Sequence, residues 1–299
     1  MEKLQGCDVS HWNGRPDWAA AVQAGMKWVS VKLSQGASIT DSQAVRNVEK
    51  LRGLGVPIMP YCFLYPGISA QAHFDKFMAV VEACGGWDGM IVPALDVEGD
   101  EHCQLRGTSS AAYCGLASDW LDLLARESGR LGVVYTYPSF NTEHGVGAHL
   151  GQKSLLWAAS YGSKTPHFSG WETTTFWQYG DHGSWRGIGG GLDMDWFLGT
   201  EDELRGLMVG VKQQPLVVGE DGHGIACKPE WMGDRVTVAA MPLLKALGLP
   251  LTPLPEAVHE NTGRAFISEL EPSCRPWGFF YRDTPQGPRV YCKRVQAAG

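Results

Sequence analysis

The sequence predicts an α/β protein: an irregular, TIM-like β/α barrel followed by a second, smaller α+β domain. Three observations lead there. Short apolar, β-rich runs alternate with helical patterns through the first two-thirds of the chain, the mark of βα units around a parallel sheet. About eight strand candidates follow one another, the number that closes a barrel. After Leu207 the texture changes, through the polar junction VGVKQQPLVVGEDGHG, into a short stretch of different character. The domains are therefore expected at residues 1–208 and 209–299.

Leu4 to Ser10 is the first strand, and Asp17 to Gly25 reads as a helix with an Asp start and a Gly stop. Trp28 to Leu33 is the second strand. Asp41 to Leu54 has apolar residues at helical spacing, Gly55 caps it, and Val56 to Phe63 supplies the third strand. Ser69 to Cys84 is the next helix, and Met90 to Val97 is a continuous apolar run expected of a strand buried on both faces. Ser109 to Ser128 forms a long helix before the strand Gly132 to Thr136. Beyond Tyr137 the alternation weakens. Strands at Leu155 to Ala159, Thr175 to Tyr179 and Gly191 to Phe197 are joined by Gly-rich loops in which no helix is convincing. A barrel of about 200 residues is at the low end for eight strands, so several crossover helices are expected to be missing. In the second domain, Arg235 to Val238 is strand-like and Pro242 to Leu247 helical.

Composition narrows the function. A net charge of -7 offers no field for phosphate backbones, so no nucleic-acid partner is expected. No apolar run approaches the roughly 18 to 20 residues that cross a bilayer, and MEKLQGCDVSHW lacks the apolar stretch of a secretory signal, so neither membrane insertion nor a signal peptide is expected. The eight cysteines contain no C-x-x-C pair and no zinc-type spacing, so they read as free, mostly buried thiols. No cofactor and no metal are expected: Asp96, Glu98, Asp100, Glu101 and His102 supply ligand atoms, but ligands on adjacent residues cannot all converge on one ion.

In a parallel barrel the C-terminal strand ends converge on one face, and here nearly all are polar. Asp8 and Ser10 end the first strand, Lys32 the second, Tyr61 the third, Asp96 and Glu98 the fourth and Tyr135 the fifth. Trp157 and Tyr161, Gln178, and Asp193 with Asp195 complete the ring. Within LDVE, Asp96 and Glu98 are two residues apart and point to the same side, roughly 6 to 7 Å apart at the backbone. Each then perturbs the other, so one stays protonated while the other ionises. Glycoside hydrolysis needs that division, since a carboxylic acid must protonate the leaving oxygen while negative charge steadies an oxocarbenium-like centre. Asp8 and Asp193 add charge across the barrel seam. Asp195 reads equally as a structural hydrogen-bond partner. His11 reads as a loop residue beside Trp12.

Taken in order, DVSHWNG with PDW, WVSVKLSQG, Asp41, GVPIMPYCF, QAHFDKF, PALDVEG, VVYTYPSF, LLWAASYG, FWQYG and GLDMDWF resemble the lysozymes of glycoside hydrolase family 25, from about Cys7 to Leu198. The resemblance implies an N-acetylmuramidase cutting the β-1,4 bond between N-acetylmuramic acid and N-acetylglucosamine, with bacterial peptidoglycan as its partner. It implies Glu98 as proton donor and Asp96 as the carboxylate that orients the substrate's acetamido group, with Asp8 and Asp193 as the other acidic groove residues. Tyr61, Tyr135, Trp157 and Gln178 fall where the family lines its groove, and Lys32 and Trp12 join them as substrate-binding candidates. Two residues depart from the family pattern, Gln35 in place of Glu and Cys62 in place of His, and both are expected at the barrel mouth.

In a wall-cutting enzyme an appended module such as 209–299 is expected to bind the cell wall; GDRVTVAAMPLLKALGLPL resembles small stalk-like modules related to the amino-terminal domain of copper amine oxidases. An endolysin-like phage protein, released by a holin or carried in the virion, is the expected setting. The competing readings are an N-acetylglucosaminidase and a catalytically silent glycan-binding or virion structural barrel. The chitinase-type D-x-x-D-x-D-x-E signature is absent, and four intact acidic residues argue against the silent form.

Overall fold

Eight strands pair edge to edge until the last meets the first in the computed structural model, which describes residues 2–209 and, beyond them, seven strands. The barrel strands are β1 (Leu4–Val9), β2 (Trp28–Gln35), β4 (Ile58–Phe63), β5 (Ala94–Asp96), β6 (Gly132–Thr136), β7 (Ser154–Ala159), β8 (Phe176–Trp185) and β9 (Ile188–Phe197). A two-residue strand, β3 (Ile39–Thr40), adds to the edge of β2. The pairing runs β1-β9-β8-β7-β6-β5-β4-β2, and β1 closes it by pairing in parallel with β2.

Every barrel pairing is parallel except the two made by β9, which runs antiparallel to β8 and to β1. The all-parallel ring expected from the sequence is corrected here. Antiparallel neighbours need only a tight turn, and Arg186 and Gly187 supply it. Gly187 has φ +88°, and a Cβ there would collide with the carbonyl of Asp17. The same glycine's carbonyl accepts the Asp17 N–H at 2.7 Å, pinning the hairpin to the start of α1.

The helices α1 (Trp18–Gln23), α2 (Ala44–Gly53), α3 (Ala70–Ala83) and α4 (Ser110–Ser128) occupy the first four crossovers. Side chains at their N-termini explain three of the boundaries: Asp17, Ser69 and Ser109 each accept a backbone N–H three residues on. Between β6 and β7 lie α5 (Pro138–His144) and α6 (Val146–Leu150), short helices in a stretch where the sequence pattern showed none. Their glycines hid them. A final short helix is α7 (Glu201–Arg205).

Strand alternation sorts the core into two bodies. Val29, Val31, Leu33, Ile58, Cys62, Leu95 and Val134 face outward against Trp18, Phe77, Trp120 and other helix residues. Leu4, Trp28, Met59, Val133, Leu155, Phe176 and Phe197 face inward and fill the lower half of the barrel. Cys62 thus lies under the helices, fully buried, because its neighbour Tyr61 takes the inward position; the expectation that it sits at the mouth is overturned. Cys7, Cys84 and Cys114 are also free and buried, whereas Cys103 is free and exposed.

Contacts divide the chain into two compact units, Met1–Val211 and Lys212–Gly299. In the second, β10 (Leu216–Val218), β15 (Trp277–Thr284) and β16 (Gly287–Arg294) form one sheet. Another holds β11 (Glu230–Met232), β12 (Arg235–Ala239), β13 (Val258–His259) and β14 (Arg264–Phe266). The expected helix at Pro242 to Leu247 lies outside the described residues.

Candidate active site

The alternation that packs apolar side chains into the lower barrel brings polar ones inward at its mouth. On β1, Leu4 lies at the bottom and Asp8 at the top. Asp193 pairs with Asp8 across the β1–β9 seam, while Asp195, two residues on, pairs with Gly6 one step deeper. Asp8 and Asp195 are buried and Asp193 half-buried.

Gln178 organises this wall. Its Oε1 accepts the hydroxyls of Tyr135 at 3.1 Å and Tyr161 at 3.0 Å, which leaves Nε2 to donate to Asp8 Oδ2 at 2.8 Å. Trp157 is buried rather than open at the mouth; its ring packs edge-on against Tyr61 and Tyr135, and its indole N–H donates to Asp195 Oδ1 at 2.7 Å. Asp195 and Tyr161, which the sequence places in the ring of polar strand ends without a catalytic or substrate-binding role, are therefore parts of this wall. Same-face spacing from Asp193 was the signal for the first, and a position just past a strand end for the second.

LDVE enters from the opposite side. Asp96 is the last residue of β5, and Glu98 follows at a turn made by Gly99 at φ +88°, where a Cβ would come within 2.9 Å of the Cys103 and Gln104 backbone. Asp96 is buried, and its Oδ1 receives no hydrogen bond from the described residues. Burial drives the carboxyl pKa values upward throughout. Asp96 is raised well above its ordinary range, by burial first and then by the charge of Glu98. Glu98 is pushed up to about 7 by burial and by Asp8, against the opposing pull of Lys32. Asp193 reaches about 8 through burial and the charges of Asp8, Asp181 and Glu98. Asp8, steadied by hydrogen bonds and Lys32, reaches only about 6. Four carboxyls thus share one low-dielectric space with Lys32 as the cation common to three of them.

Around the rim, the Lys32 ammonium donates to Gln35 Oε1 at 2.8 Å, and Gln35 Nε2 donates to Glu101 Oε1 at 2.7 Å. Tyr65 holds the other Glu101 oxygen, and Arg106 binds Asp100 at 2.6 Å. Asp100 also accepts the backbone N–H groups of His102 and Gln104, so its oxygens are occupied away from Asp96 and Glu98. His11 donates its backbone N–H to Asp41 and sets its ring nitrogen 2.9 Å from the same oxygen. Beside it Trp12 is 86% exposed, a flat apolar surface open to solvent near the end of β1. Tyr161 is also exposed.

A protein-family model described as glycosyl hydrolases family 25 matches residues 7–188. Lysozyme M1 of Streptomyces globisporus is 32% identical over 218 residues, covering 68% of this chain and 71% of that protein. The N,O-diacetylmuramidase of Arthroderma benhamiae is 30% identical over 218 residues, covering 68% of this chain and 85% of that relative. Among solved structures, the bacterial lysozyme from Streptomyces coelicolor aligns with a TM-score of 0.64 at 29% identity, over 70% of this chain and 98% of that lysozyme.

Proposed function

The chain belongs to glycosyl hydrolase family 25 and is a peptidoglycan-hydrolysing N-acetylmuramidase, and we propose that it cuts through Glu98 as proton donor with Asp96 steering the substrate's own acetamido group. One observation carries the assignment: a buried Asp96 with an oxygen that no described residue serves, next to a Glu98 whose pKa is about 7. Two neighbouring carboxyls of this kind share a proton. With the proton on Glu98, the part of the Asp96 shift that comes from its charge is removed, and the larger part, from burial, is offset when the substrate's acetamido N–H donates to Oδ1, so that Asp96 ionises in the complex while Glu98 is ready to act as an acid.

The chemistry then runs in two steps. Glu98 gives its proton to the glycosidic oxygen as that bond breaks, and the acetamido oxygen of the N-acetylmuramic acid closes on the anomeric carbon. Asp96 Oδ1 accepts the acetamido N–H, and its charge offsets the positive charge that spreads over the oxazolinium ring. In the second step Glu98, now a carboxylate, takes a proton from the water that opens the ring, so the anomeric configuration is retained. Asp8 and Asp193 complete the acidic groove, with Tyr61, Tyr135, Trp157, Gln178 and Lys32 as its walls and Trp12 as an outer sugar platform. Residues 209–299 are assigned as a wall-binding module, and a phage lytic role belongs to the same reading.

The test is digestion of purified peptidoglycan by wild type and Glu98→Gln, with mass spectrometry of the borohydride-reduced fragments. Reduced muramic acid ends from wild type, lost by about 100-fold or more in the variant, are expected. A fully active variant overturns the assignment of Glu98. Reduced glucosamine ends would move the cleavage to the other glycosidic bond.

A further inference from the structure

Asp195 is fully buried, yet the mechanism above assigns it nothing. Its Oδ1 takes the Trp157 indole N–H at 2.7 Å, while its Oδ2 receives no hydrogen bond from the described residues. The two strands that flank it on β9 present Gly6 and Gln178, neither of them a cation. Gln178 donates one amide N–H to Asp8, and Asp195 stands on the same inward face diagonally across the β1–β9 seam from Asp8, within reach of a hydrogen bond between the two carboxyls. The titratable groups whose charge couples to it are Asp8 and Asp193 on the inward face, and Cys7 of β1 and Tyr179 of β8 on the outward one. Two carboxyls this close in such a space cannot both ionise, and because Asp195 is sealed from solvent, its Oδ2, unlike Asp96 Oδ1, has no incoming donor to accept and is served by carrying a proton and donating it.

We propose that Asp195 is a permanently un-ionised carboxylic acid whose O–H, donated to Asp8, holds Asp8 as the oriented anion at the barrel mouth. Asp195 is then a positioning residue, and its place in catalysis rests on the assignment of Asp8 to the active site. The proton falls on Asp195 rather than on Asp8 because Asp8 has the Gln178 amide and the charge of Lys32 to stabilise its anion, whereas Asp195 has one indole N–H. The result is a relay of fixed direction: Trp157 N–H to Asp195, Asp195 O–H to Asp8, and from the other side Gln178 N–H to Asp8, with Gln178 turned by Tyr135 and Tyr161.

An amide in place of the acid reproduces both bonds, since its oxygen accepts from Trp157 and its NH₂ donates to Asp8. Asp195→Asn is therefore expected to keep peptidoglycan turnover within about twofold of wild type, with the acid limb of the pH–rate profile unmoved. Asp195→Ala removes the donor; activity should fall by about tenfold or more and the acid limb should move to higher pH as Asp8 protonates more readily. Loss of packing alone would lower the rate without moving the limb. If Asp195 were ionised, Asp195→Asn would delete a negative neighbour and move the limb downward by about one pH unit, which would overturn the proposal.

An infrared difference spectrum of ¹³C-aspartate-labelled wild type against Asp195→Asn at neutral pH tests the proton directly, whether or not the enzyme turns over. Loss of a protonated-carboxyl C=O band supports the proposal. Loss of an ionised carboxylate band refutes it, and does so independently of the fate of Glu98→Gln.

Discussion

Replacing Asp193 by Asn should stabilise the fold above neutral pH while impairing catalysis. The Asp193 carboxyl sits at about 8 in the folded protein against an ordinary 3.8, raised by burial and then by Asp8, Asp181 and Glu98. Its folded value lies above its unfolded value, so between roughly pH 4 and 8 the folded state binds more protons and stability falls as pH rises. At about 1.4 kcal/mol for each pKa unit, full ionisation of Asp193 in place would cost about 6 kcal/mol. Its neighbours relax when one charge is removed, so about 2 to 3 kcal/mol belongs to Asp193 alone. For a unit of some 200 residues that is about 5 to 10 °C in melting temperature. Thermal unfolding at about pH 4 and about pH 9 reads it out: Asp193→Asn should melt close to wild type at the lower pH, where the unfolded carboxyl still holds much of its proton, and well above it at the higher. Equal melting temperatures at both would refute the reasoning that the groove's carboxyls oppose one another inside the fold.

Two further substitutions probe the rim. Gln35→Glu places a carboxylate where an amide now donates to Glu101, and gives Lys32 a partner of its own; with Lys32 neutralised, Glu98 should rise above about 7 and the alkaline limb of the turbidity-clearing profile should shift upward. Trp12→Ala removes an 86% exposed ring, so melting should change by less than about 0.5 kcal/mol while KM for polymeric peptidoglycan rises.

Much of the site was legible because period-two alternation is a strong constraint once a strand is recognised. Tyr61, Tyr135 and Gln178 lie inward for that reason, whereas β5 ends at Asp96, and Glu98 reaches the same space through the turn at Gly99 rather than by strand alternation. The family pattern puts Cys62 at the mouth, but one step along a strand reverses the facing: Tyr61 points into the barrel and Cys62 out under the helices. The helices α5 and α6 were missed because Gly145, Gly147 and Gly151 lower local helix propensity, while tertiary contact supplies the missing stability: a Cβ at Gly147 or Gly151 would clash with the loop at Ser169 and Gly170. Gln35 bridging to Glu101 joins residues far apart in the chain, and no local pattern reports it.

The reversal of β9 decides the chemistry of the D-x-D in GLDMDWF. In a strand running with the others, the later residue is the one nearer the mouth, and Asp195 would meet substrate. Because β9 runs antiparallel, Asp193 stands level with Asp8 while Asp195 drops one step deeper, beside Gly6 and beneath the indole N–H of Trp157. The outer aspartate stays half-buried and titrates in the groove, and the inner one is sealed from water. A single change of strand direction thus gives two identical side chains, two residues apart, different solvation: burial raises both, but Asp193 titrates at about 8 while Asp195 is held well above its ordinary range. The tight hairpin that closes the barrel without a crossover helix also builds the deeper half of its active site.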